Sequence, residues 1–174
     1  GRTGRCPHCS RSKLLVPQIL LGVGSNHNAE SNIRAGLEQL TQFCSNIEHS
    51  PCYRSSAIDL SQPDYLNLVT KAETSLDHHA LIEALKSIEI QQGRMSGRYC
   101  ALDIDLLCFD QEVIESEALN LPHKDLENYA HVLLPAADLC PNQQHPTLGY
   151  TFIELWNKKR DLLLENQSLY PHSL

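Results

Sequence analysis

Two aspartates stand two residues apart in the otherwise apolar stretch ALDIDLLCF, residues 101–109. Side chains along a β-strand alternate between its faces, so Asp103 and Asp105 share one face, with Cβ atoms about 7 Å apart. Burying two bare carboxylates is costly, so the pair is either exposed or balanced by cations. Two carboxylates on one face can bind two divalent cations that share a substrate phosphate. Spacing alone leaves this metal site and an exposed polar sheet face equally open.

The same alternation sorts the other residues of this strand. It predicts one apolar face made of Leu102, Ile104, Leu106 and Cys108, and it places Ala101, Leu107 and Phe109 beside the aspartates. Any polar surface on the aspartate face is therefore expected to be small.

Other polar residues could contact a heterocycle or a phosphate. Tyr65 and Asn67 lie two apart in QPDYLN, at the start of a strand-like stretch. An aromatic ring and an amide in that arrangement can stack on a flat heterocycle and hydrogen-bond its edge. His123, in NLPHKDLENYA, could contact a phosphate or a metal ion. Taken singly, each also has an ordinary interpretation: a core tyrosine, a turn asparagine and a surface or capping histidine.

The composition is that of one globular domain. The chain has 174 residues, of which 41% are hydrophobic and 20% charged. We interpret residues 1–18, rich in Gly, Ser and Arg, as a flexible leader or an expression-derived tail, and residues 19–174 as a single domain. The Cys6–Cys9 pair lacks the second pair that a structural zinc site needs, and the remaining cysteines suit free buried thiols.

Charge and hydropathy exclude several classes of partner. The formal net charge is −7, and no run of Lys and Arg provides a footprint for a nucleic-acid backbone. No stretch approaches the ~18 apolar residues of a membrane span, and residues 1–18 lack the apolar segment of a signal peptide. We expect a cytoplasmic monomer that binds neither nucleic acid nor membranes. A polyanion such as ATP would need metal ions and local arginines to offset the charge.

Hydrophobic periodicity predicts the order strand, helix, strand, strand, helix, strand. The corresponding ranges are 19–23, 29–43, 47–53, 65–75, 75–94 and 101–109. This βαββαβ order is typical of a ferredoxin-like α+β sandwich, an antiparallel sheet with helices packed on one face. A turn at Asp110 and Gln111 is expected to lead to a short partner strand at 112–114. The C-terminal part, with a helix around Thr151–Glu165, is expected to decorate the sandwich.

The joint order of five motifs resembles that of the 6-hydroxymethyl-7,8-dihydropterin pyrophosphokinase family of folate biosynthesis. These motifs are GVGSN, QPDYLN, IEIQQGR, LDIDLLCF and LPHKDL, and the resemblance covers about residues 19–146. It implies transfer of a diphosphoryl group from ATP to the pterin hydroxymethyl group, with AMP as the second product. It also implies two Mg²⁺ ions and ATP as a co-substrate.

The resemblance also implies roles for individual residues. Asp103 and Asp105 match the family's magnesium ligands. The implied pterin pocket contains Tyr65 and Asn67, with Ser55 or Ser56. The implied ATP side contains Glu89, Arg94, Arg98, Leu106, His123 and Lys124, and the implied catalytic residues are Asp103, Asp105, Arg94 and His123. Phosphoryl transfer depends mainly on positioning and charge neutralisation, which suits this set.

The sequence also departs from the family's pattern. Only eight residues, MSGRYCAL, separate Arg94 from Asp103, where the family has a longer mobile loop with arginines and a tryptophan. Cys100, Ala118 and Tyr129 stand where the family has arginines, and His131 stands where an aromatic residue stacks on the pterin. The resemblance therefore implies fewer cationic side chains around the phosphates than the family has. Arg98, Tyr99 and Lys124 are the candidates to compensate.

We expect a working enzyme whose turnover is slow or altered because fewer arginines contact the phosphates. Two alternatives stay open. The first is a non-catalytic pterin- or nucleotide-binding protein with the same fold. The second is a magnesium-dependent phosphoryl or nucleotidyl transferase that uses the same aspartates on another acceptor.

Overall fold

The computed structural model describes residues 16–57, 60–93 and 95–174. These residues form ten strands and five helices, in the order β1 (Gln18–Ser25), α1 (Ala29–Leu40), β2 (Cys44–His49), β3 (Cys52–Ser55), β4 (Tyr65–Thr74), α2 (His78–Gln91), β5 (Met95–Ser96), β6 (Tyr99–Cys100), β7 (Asp103–Phe109), β8 (Ile114–Glu115), β9 (Asn120–Leu121), α3 (Asp125–Asn128), α4 (Ala130–Leu139), α5 (Phe152–Glu165) and β10 (Leu169–His172). The predicted leader, including Cys6 and Cys9, falls almost wholly outside the described residues, and β1 begins at Gln18.

The main sheet is antiparallel and has the strand order β7-β1-β4-β3-β10, with β2 also paired to β4. β2 and β3 pair with successive stretches of β4, from Cys44 opposite Thr74 to Ser55 opposite Tyr65. They therefore act as one strand beside β4, interrupted at Ser50 and Pro51, where proline lacks the N–H of a ladder hydrogen bond. The predicted ferredoxin-like α+β fold is confirmed, but the single strand expected at 47–53 is wrong.

Helices cover both faces of the sheet: α1 and α2 of the βαββαβ unit pack on one face, as expected, and the C-terminal helices cover the other. On one face α1 and α2 bury Ile33, Leu81 and Leu85 against the sheet. On the other face α4 and α5 contribute Leu133 and Phe152 to a second core. Both layers are needed because the central strands β1 and β4 are apolar on both faces, and each face must be buried against helices.

A bulge in β7 changes which residues share a face. Leu20 pairs with Cys108 and Leu21 with Leu106, so Leu107 is an extra residue in the ladder. Phe109 therefore packs in the core beneath α1 and α2, and Cys108 in the core beneath α4 and α5. The sequence-based placement of these two residues is wrong because it assumed strict alternation.

The ends of the elements follow local chemistry. Asp77 caps α2, with its Oδ1 accepting the Ala80 N–H at 2.8 Å, and Gly93 follows that helix at φ 106°. Thr151 caps α5 as part of a capping box with Glu154, which confirms the predicted C-terminal helix. The short strand expected at 112–114 lies at Ile114–Glu115 and pairs with β9 instead of β7. Within the described ranges, no helix combines the length and apolarity needed to cross a membrane.

Candidate active site

Two adjoining cavities open beside β7 and share the side chains of Asp105 and Asp125. The first has a volume of about 190 Å³ and lies over β1, β4 and β7. The second has a volume of about 450 Å³ and lies between α2, β7 and the segment 118–125. Asp103 lines the first cavity and His123 lines the second. The candidate site is therefore two compartments that meet at carboxylates.

Two glycines of β1 form the floor of the first cavity. In the sheet register Gly24 pairs with Asp103 and Gly22 with Asp105. A Cβ atom at Gly24 would lie 2.9 Å from Oδ1 of Asn67, closer than real Cβ contacts allow. The absence of a side chain at Gly24 therefore makes room for the amide of Asn67. No role for these glycines was predicted from the motif GVGSN, although glycine inside a buried strand indicates a close approach of another group.

The polar wall of the first cavity is built by β3 and β4. Nδ2 of Asn67 donates to Oγ of Ser55 at 2.7 Å, and both residues are buried. Tyr65 lines the same cavity, and its hydroxyl is hydrogen-bonded to the Cys100 thiol. Burial raises the pKa of Tyr65 to about 12, so the phenol is neutral. The predicted residues Ser55, Ser56, Tyr65 and Asn67 are thus brought together in one cavity.

Asp103 and Asp105 are partly buried and mutually repulsive. Burial, reinforced by the neighbouring Asp105 carboxylate, raises the pKa of Asp103 well above its ordinary value. Burial also raises the pKa of Asp105, with further contributions from Asp125 and Glu89. Divalent cations bound here would stabilise the ionised form of both carboxylates, which burial and repulsion disfavour. The alternative that the two aspartates lie on an exposed sheet face is wrong, since they line a cavity.

A third carboxylate extends this group. One ligand atom each from Asp105, His123 and Asp125 lies within 4.8 Å of the other two, which is close enough for a shared cation. Sequence analysis missed Asp125, although it stands in the quoted motif LPHKDL. The available signal was that Asp125 lies two residues after His123. In sequence, however, a ligand at this position looks the same as an acidic residue that begins a helix.

His123 is held against β7 by its backbone. Its N–H donates to the Leu107 carbonyl at 2.9 Å, and its Nδ1 accepts the Asp125 N–H at 3.1 Å. Because Nδ1 is an acceptor, the neutral ring carries its proton on Nε2. His123 lines the second cavity, as expected for a residue on the phosphate side.

The second cavity combines an apolar wall with charged groups. Ile82, Leu85 and Leu106 contribute apolar surface. The charged and polar residues that line it are Lys86, Glu89, Asp105, Asn120, His123, Lys124 and Asp125. Four residues predicted for the ATP side are thus gathered here (Glu89, Leu106, His123 and Lys124), and Lys86 was missed because it is one of many polar residues on α2.

The predicted residue Arg98 is not brought into either cavity. The guanidinium of Arg98 lies 5.3 Å from the centre of the Tyr99 ring, and Arg98 lines neither cavity. Arg94 lies outside the described residues. The expected role of Arg98 at the nucleotide stays a prediction that requires its side chain to move.

The short loop before β7 is a hairpin of β5 and β6 that turns at Gly97, where φ is 59°. Asn26, at the end of the GVGSN motif, clamps its base. Its Nδ2 donates to the Arg98 carbonyl at 3.0 Å, and its Oδ1 accepts the Cys100 N–H at 2.5 Å. Its backbone N–H also donates to the Cys100 carbonyl at 3.0 Å. Sequence analysis gave Asn26 no role, because its partners lie more than 70 residues away.

Comparison with known proteins identifies the family. The model of the 7,8-dihydro-6-hydroxymethylpterin-pyrophosphokinase (HPPK) family matches residues 20–141. The chain belongs to this family. It is 35% identical over 136 residues to the 2-amino-4-hydroxy-6-hydroxymethyldihydropteridine pyrophosphokinase of Haemophilus influenzae, a match that covers 71% of this chain and 85% of that protein. It is 34% identical over 133 residues to the protein of the same name from Aquifex aeolicus, covering 74% and 83%. The family predicted from the five motifs is confirmed.

Solved structures support the HPPK fold. The wild-type HPPK-DHPS protein of Plasmodium falciparum matches with a TM-score of 0.67 at 15% identity. That match covers 88% of this chain and 48% of the other, so this chain spans about half the length of the Plasmodium protein. A mitochondrial folate synthesis bifunctional protein of Arabidopsis thaliana is 33% identical over 129 residues, which cover 70% of this chain and 23% of that protein. HPPK units thus occur both alone and within longer chains.

The departures from the HPPK pattern fall in or near the two cavities. His131 lines the first cavity and Ala118 the second. Tyr129 stacks on His131, with ring centres 5.3 Å apart, and Cys100 hydrogen-bonds Tyr65. The residues expected to stand in place of family arginines therefore contact pocket residues or line a pocket themselves.

Proposed function

We propose that the protein transfers the diphosphoryl group of ATP to the hydroxymethyl group of 6-hydroxymethyl-7,8-dihydropterin, giving AMP and the pterin diphosphate. The observation that carries this proposal is the pair of cavities that share Asp105 and Asp125. A bisubstrate transferase needs an acceptor compartment and a donor compartment that meet at the reacting phosphate. Carboxylates at the junction provide the ligands for the cations that a polyphosphate brings.

The first cavity suits the pterin. Its volume of about 190 Å³ fits a bicyclic heterocycle, and Tyr65 supplies an aromatic surface. Oδ1 of Asn67 can accept a hydrogen bond from a donor group on the edge of the ring, and the second N–H of its amide can donate to an acceptor group there. Ser55 orients that amide through its hydrogen bond to Nδ2.

The second cavity suits the nucleotide. The apolar residues Leu85 and Leu106 can contact the adenine, while Lys86, Lys124 and His123 can contact the phosphates. Asp103 and Asp105 would hold two Mg²⁺ ions, with Asp125 as a further ligand to one of them. When bound, these ions neutralise phosphate charge and align the β-phosphorus with the acceptor.

The reaction is an in-line displacement. The hydroxymethyl oxygen forms a bond to the β-phosphorus of ATP, while the bond between that phosphorus and the α–β bridging oxygen breaks. AMP leaves with the bridging oxygen, and the hydroxyl proton passes to solvent. The protein contributes by holding the pterin over Gly24 and by fixing the position of His123 through the Leu107 carbonyl. The missing family arginines predict a slower turnover, since each charge-assisted hydrogen bond contributes roughly 1.5–3 kcal/mol.

AMP formation tests the proposal. We expect AMP from ATP and Mg²⁺ only when the pterin is present, and at least a hundredfold less in Asp103→Asn and Asp105→Asn. The exposed Asp161 provides a matched control, because Asp161→Asn removes a carboxylate far out in solvent. Pterin binding without AMP would favour the non-catalytic alternative. Magnesium-dependent ATP turnover that needs no pterin would favour a transferase with another acceptor.

The assembly and the location are separate predictions. We propose that the protein acts as a cytoplasmic monomer. Size-exclusion chromatography with light scattering measures the first property, and the expected mass is that of one 19.6 kDa chain. A dimeric mass would contradict it.

A further inference from the structure

Gln167 contacts His131 through two hydrogen bonds. Oε1 of Gln167 accepts the backbone N–H of His131 at 3.2 Å, and Nε2 of Gln167 lies 2.6 Å from Nδ1 of His131. His131 lies in the first turn of α4, and Gln167 lies between α5 and β10, beyond the 20–141 segment that matches the family. The C-terminal segment of this chain therefore reaches the wall of the first cavity.

The geometry of these bonds determines where the proton of the imidazole lies. A backbone N–H can only donate, so the atom of Gln167 that faces it must be the oxygen. The other end of the amide is then the NH₂ group, which donates to Nδ1 of His131. Nδ1 accepts a hydrogen bond only when it carries no proton, so the ring is neutral and its proton is on Nε2.

The surroundings of His131 agree with a neutral ring. Burial lowers the pKa of His131, and this outweighs the charge of Asp125, which raises it. Tyr129 stacks on the ring at an interplanar angle of 25°. Within the described part of the chain, the ring of His131 is hydrogen-bonded to Gln167 through Nδ1, and His131 lines the first cavity. A proton on Nε2 therefore gives the wall of this cavity a possible hydrogen-bond donor.

We propose that Gln167 is a positioning residue that holds His131 as a neutral Nε2–H donor in the wall of the first cavity, so that this cavity selects heterocycles with a hydrogen-bond acceptor facing His131. The selection part rests on the proposed function, because it takes the first cavity as the heterocycle site. The positioning part is a property of the protein without ligand. A phenylalanine at position 131 could stack on a ligand but could not donate such a bond.

The positioning part is tested by ¹⁵N NMR of the histidine ring nitrogens in the protein without ligand. We expect His131 of the wild type to have a protonated Nε2 and an unprotonated Nδ1 at pH 7. Gln167→Ala should mix the two tautomers, and Gln167→Glu should favour the imidazolium, because a carboxylate accepts from Nδ1–H. The exposed Gln42 supplies the control Gln42→Ala, which should leave the signals unchanged. A wild-type ring protonated on Nδ1, or one unaffected by Gln167→Ala, would overturn the proposal.

The selection part is tested by a double-mutant cycle on the dissociation constant of 6-hydroxymethylpterin. Gln167→Ala should weaken binding about tenfold, a typical loss for one hydrogen bond in a closed site. The same change should have no effect in a His131→Phe background, because phenylalanine has no ring N–H whose position Gln167 could determine. In Gln167→Glu the affinity should become dependent on pH between 6 and 8. An equal loss in both backgrounds would overturn the selection role.

The two tests separate this inference from the proposed function. If the wild type shows the Nε2–H tautomer but binds no pterin, the proposed function fails and the Gln167–His131 arrangement stands. If the wild type binds pterin with the other tautomer, the arrangement fails and the proposed function stands. Thermal unfolding of each variant identifies any loss of affinity that arises from misfolding.

Discussion

At the residue scale, the shape of the first cavity depends on glycines that leave room for neighbouring side chains. Gly24 lies on the strand next to Asn67, and the missing Cβ is the space that the amide oxygen occupies. Gly22, two residues earlier, faces the flexible side chain of Leu107 at 3.4 Å instead. The two glycines therefore form a matched pair with different neighbours.

We predict that Gly24→Ala raises the KM for the pterin about tenfold and leaves the KM for ATP within twofold. The new methyl group would displace the Asn67 amide from the edge of the heterocycle. Gly22→Ala should change both constants little, because Leu107 can rotate away. Steady-state kinetics with each substrate varied in turn measures the difference. Equal effects of the two substitutions would contradict the role given to Asn67.

The aspartate pair makes a prediction about pH. The pKa of Asp103 is raised in the folded protein, so above the ordinary carboxyl pKa of 3.8 the unfolded chain binds fewer protons than the folded one. The free energy of unfolding should therefore fall as the pH rises from about 4 towards the raised pKa, with a limiting slope of about 1.4 kcal/mol per pH unit for one proton.

Urea unfolding in EDTA between pH 5 and 8 measures this dependence. Asp103→Asn should flatten it, and saturating Mg²⁺ should restore stability at the high end by binding the folded state. The exposed Asp161→Asn control should keep the wild-type slope. Stability that rises with pH over this range would contradict the buried pair.

Residue-scale prediction from sequence succeeded where the signal was local. The alternation of a strand was enough to place Asp103 and Asp105 on one face. It could not find Gly24, Asn26 or Gln167, because their partners are 36 to 74 residues away and depend on the sheet register and on the C-terminal segment. Strict alternation also failed at Cys108 and Phe109, since a bulge leaves no reliable mark in a run of apolar residues.

At the element scale, the hairpin of β5 and β6 is the short connection that leads into β7. It is joined to the end of β1 by the backbone and side chain of Asn26. A hairpin tied in this way has less freedom to close over the substrates than a long loop. The clamp therefore sets the position of Cys100 and, through its thiol, the hydroxyl of Tyr65.

We predict that Asn26→Ala lowers the free energy of unfolding by about 2 kcal/mol, because two hydrogen bonds to the hairpin backbone are lost at a buried position. Asn32→Ala is the control, since its amide donates to the His27 carbonyl at an exposed position, and about 0.5 kcal/mol is expected. Urea titrations of both variants measure the difference. A loss no larger than that of the control would show that the hairpin does not depend on Asn26.

The element order was predictable, and the second helical layer was not. Periods of 2 and 3.6 in the apolar residues are sufficient to distinguish β1, α1, β4, α2 and β7. They do not say which face of the sheet receives α4 and α5, because strands that are apolar on both faces give no preference. β10 was missed since its four residues, including Pro171 and His172, carry little strand signal apart from their pairing with β3.

At the scale of the whole molecule, the two cavities share a wall of carboxylates, so occupancy of one should affect the other. A magnesium-nucleotide in the second cavity would neutralise Asp105 and Asp125, which also face the first. Coupling between two ligands is reciprocal, so each should strengthen the binding of the other by the same factor.

We predict that α,β-methylene-ATP with Mg²⁺ lowers the dissociation constant of the pterin at least fivefold, about 1 kcal/mol of coupling. The coupling should vanish in EDTA and fall in Asp105→Asn, while Asp161→Asn should retain it. Isothermal titration calorimetry with and without the nucleotide measures both constants. A pterin affinity that is independent of the magnesium-nucleotide would contradict a shared carboxylate wall.

The central claim is that the pterin and the nucleotide occupy separate cavities that meet at Asp105 and Asp125, with the metal ions held by Asp103 and Asp105. The most direct measurement is a crystal structure with Mn²⁺, α,β-methylene-ATP and 6-hydroxymethylpterin, with the ions located by anomalous scattering. We expect Mn²⁺ bound to both aspartates, the heterocycle over Gly24 and the phosphates beside His123. Ions bound elsewhere, or both ligands in the same cavity, would contradict the account.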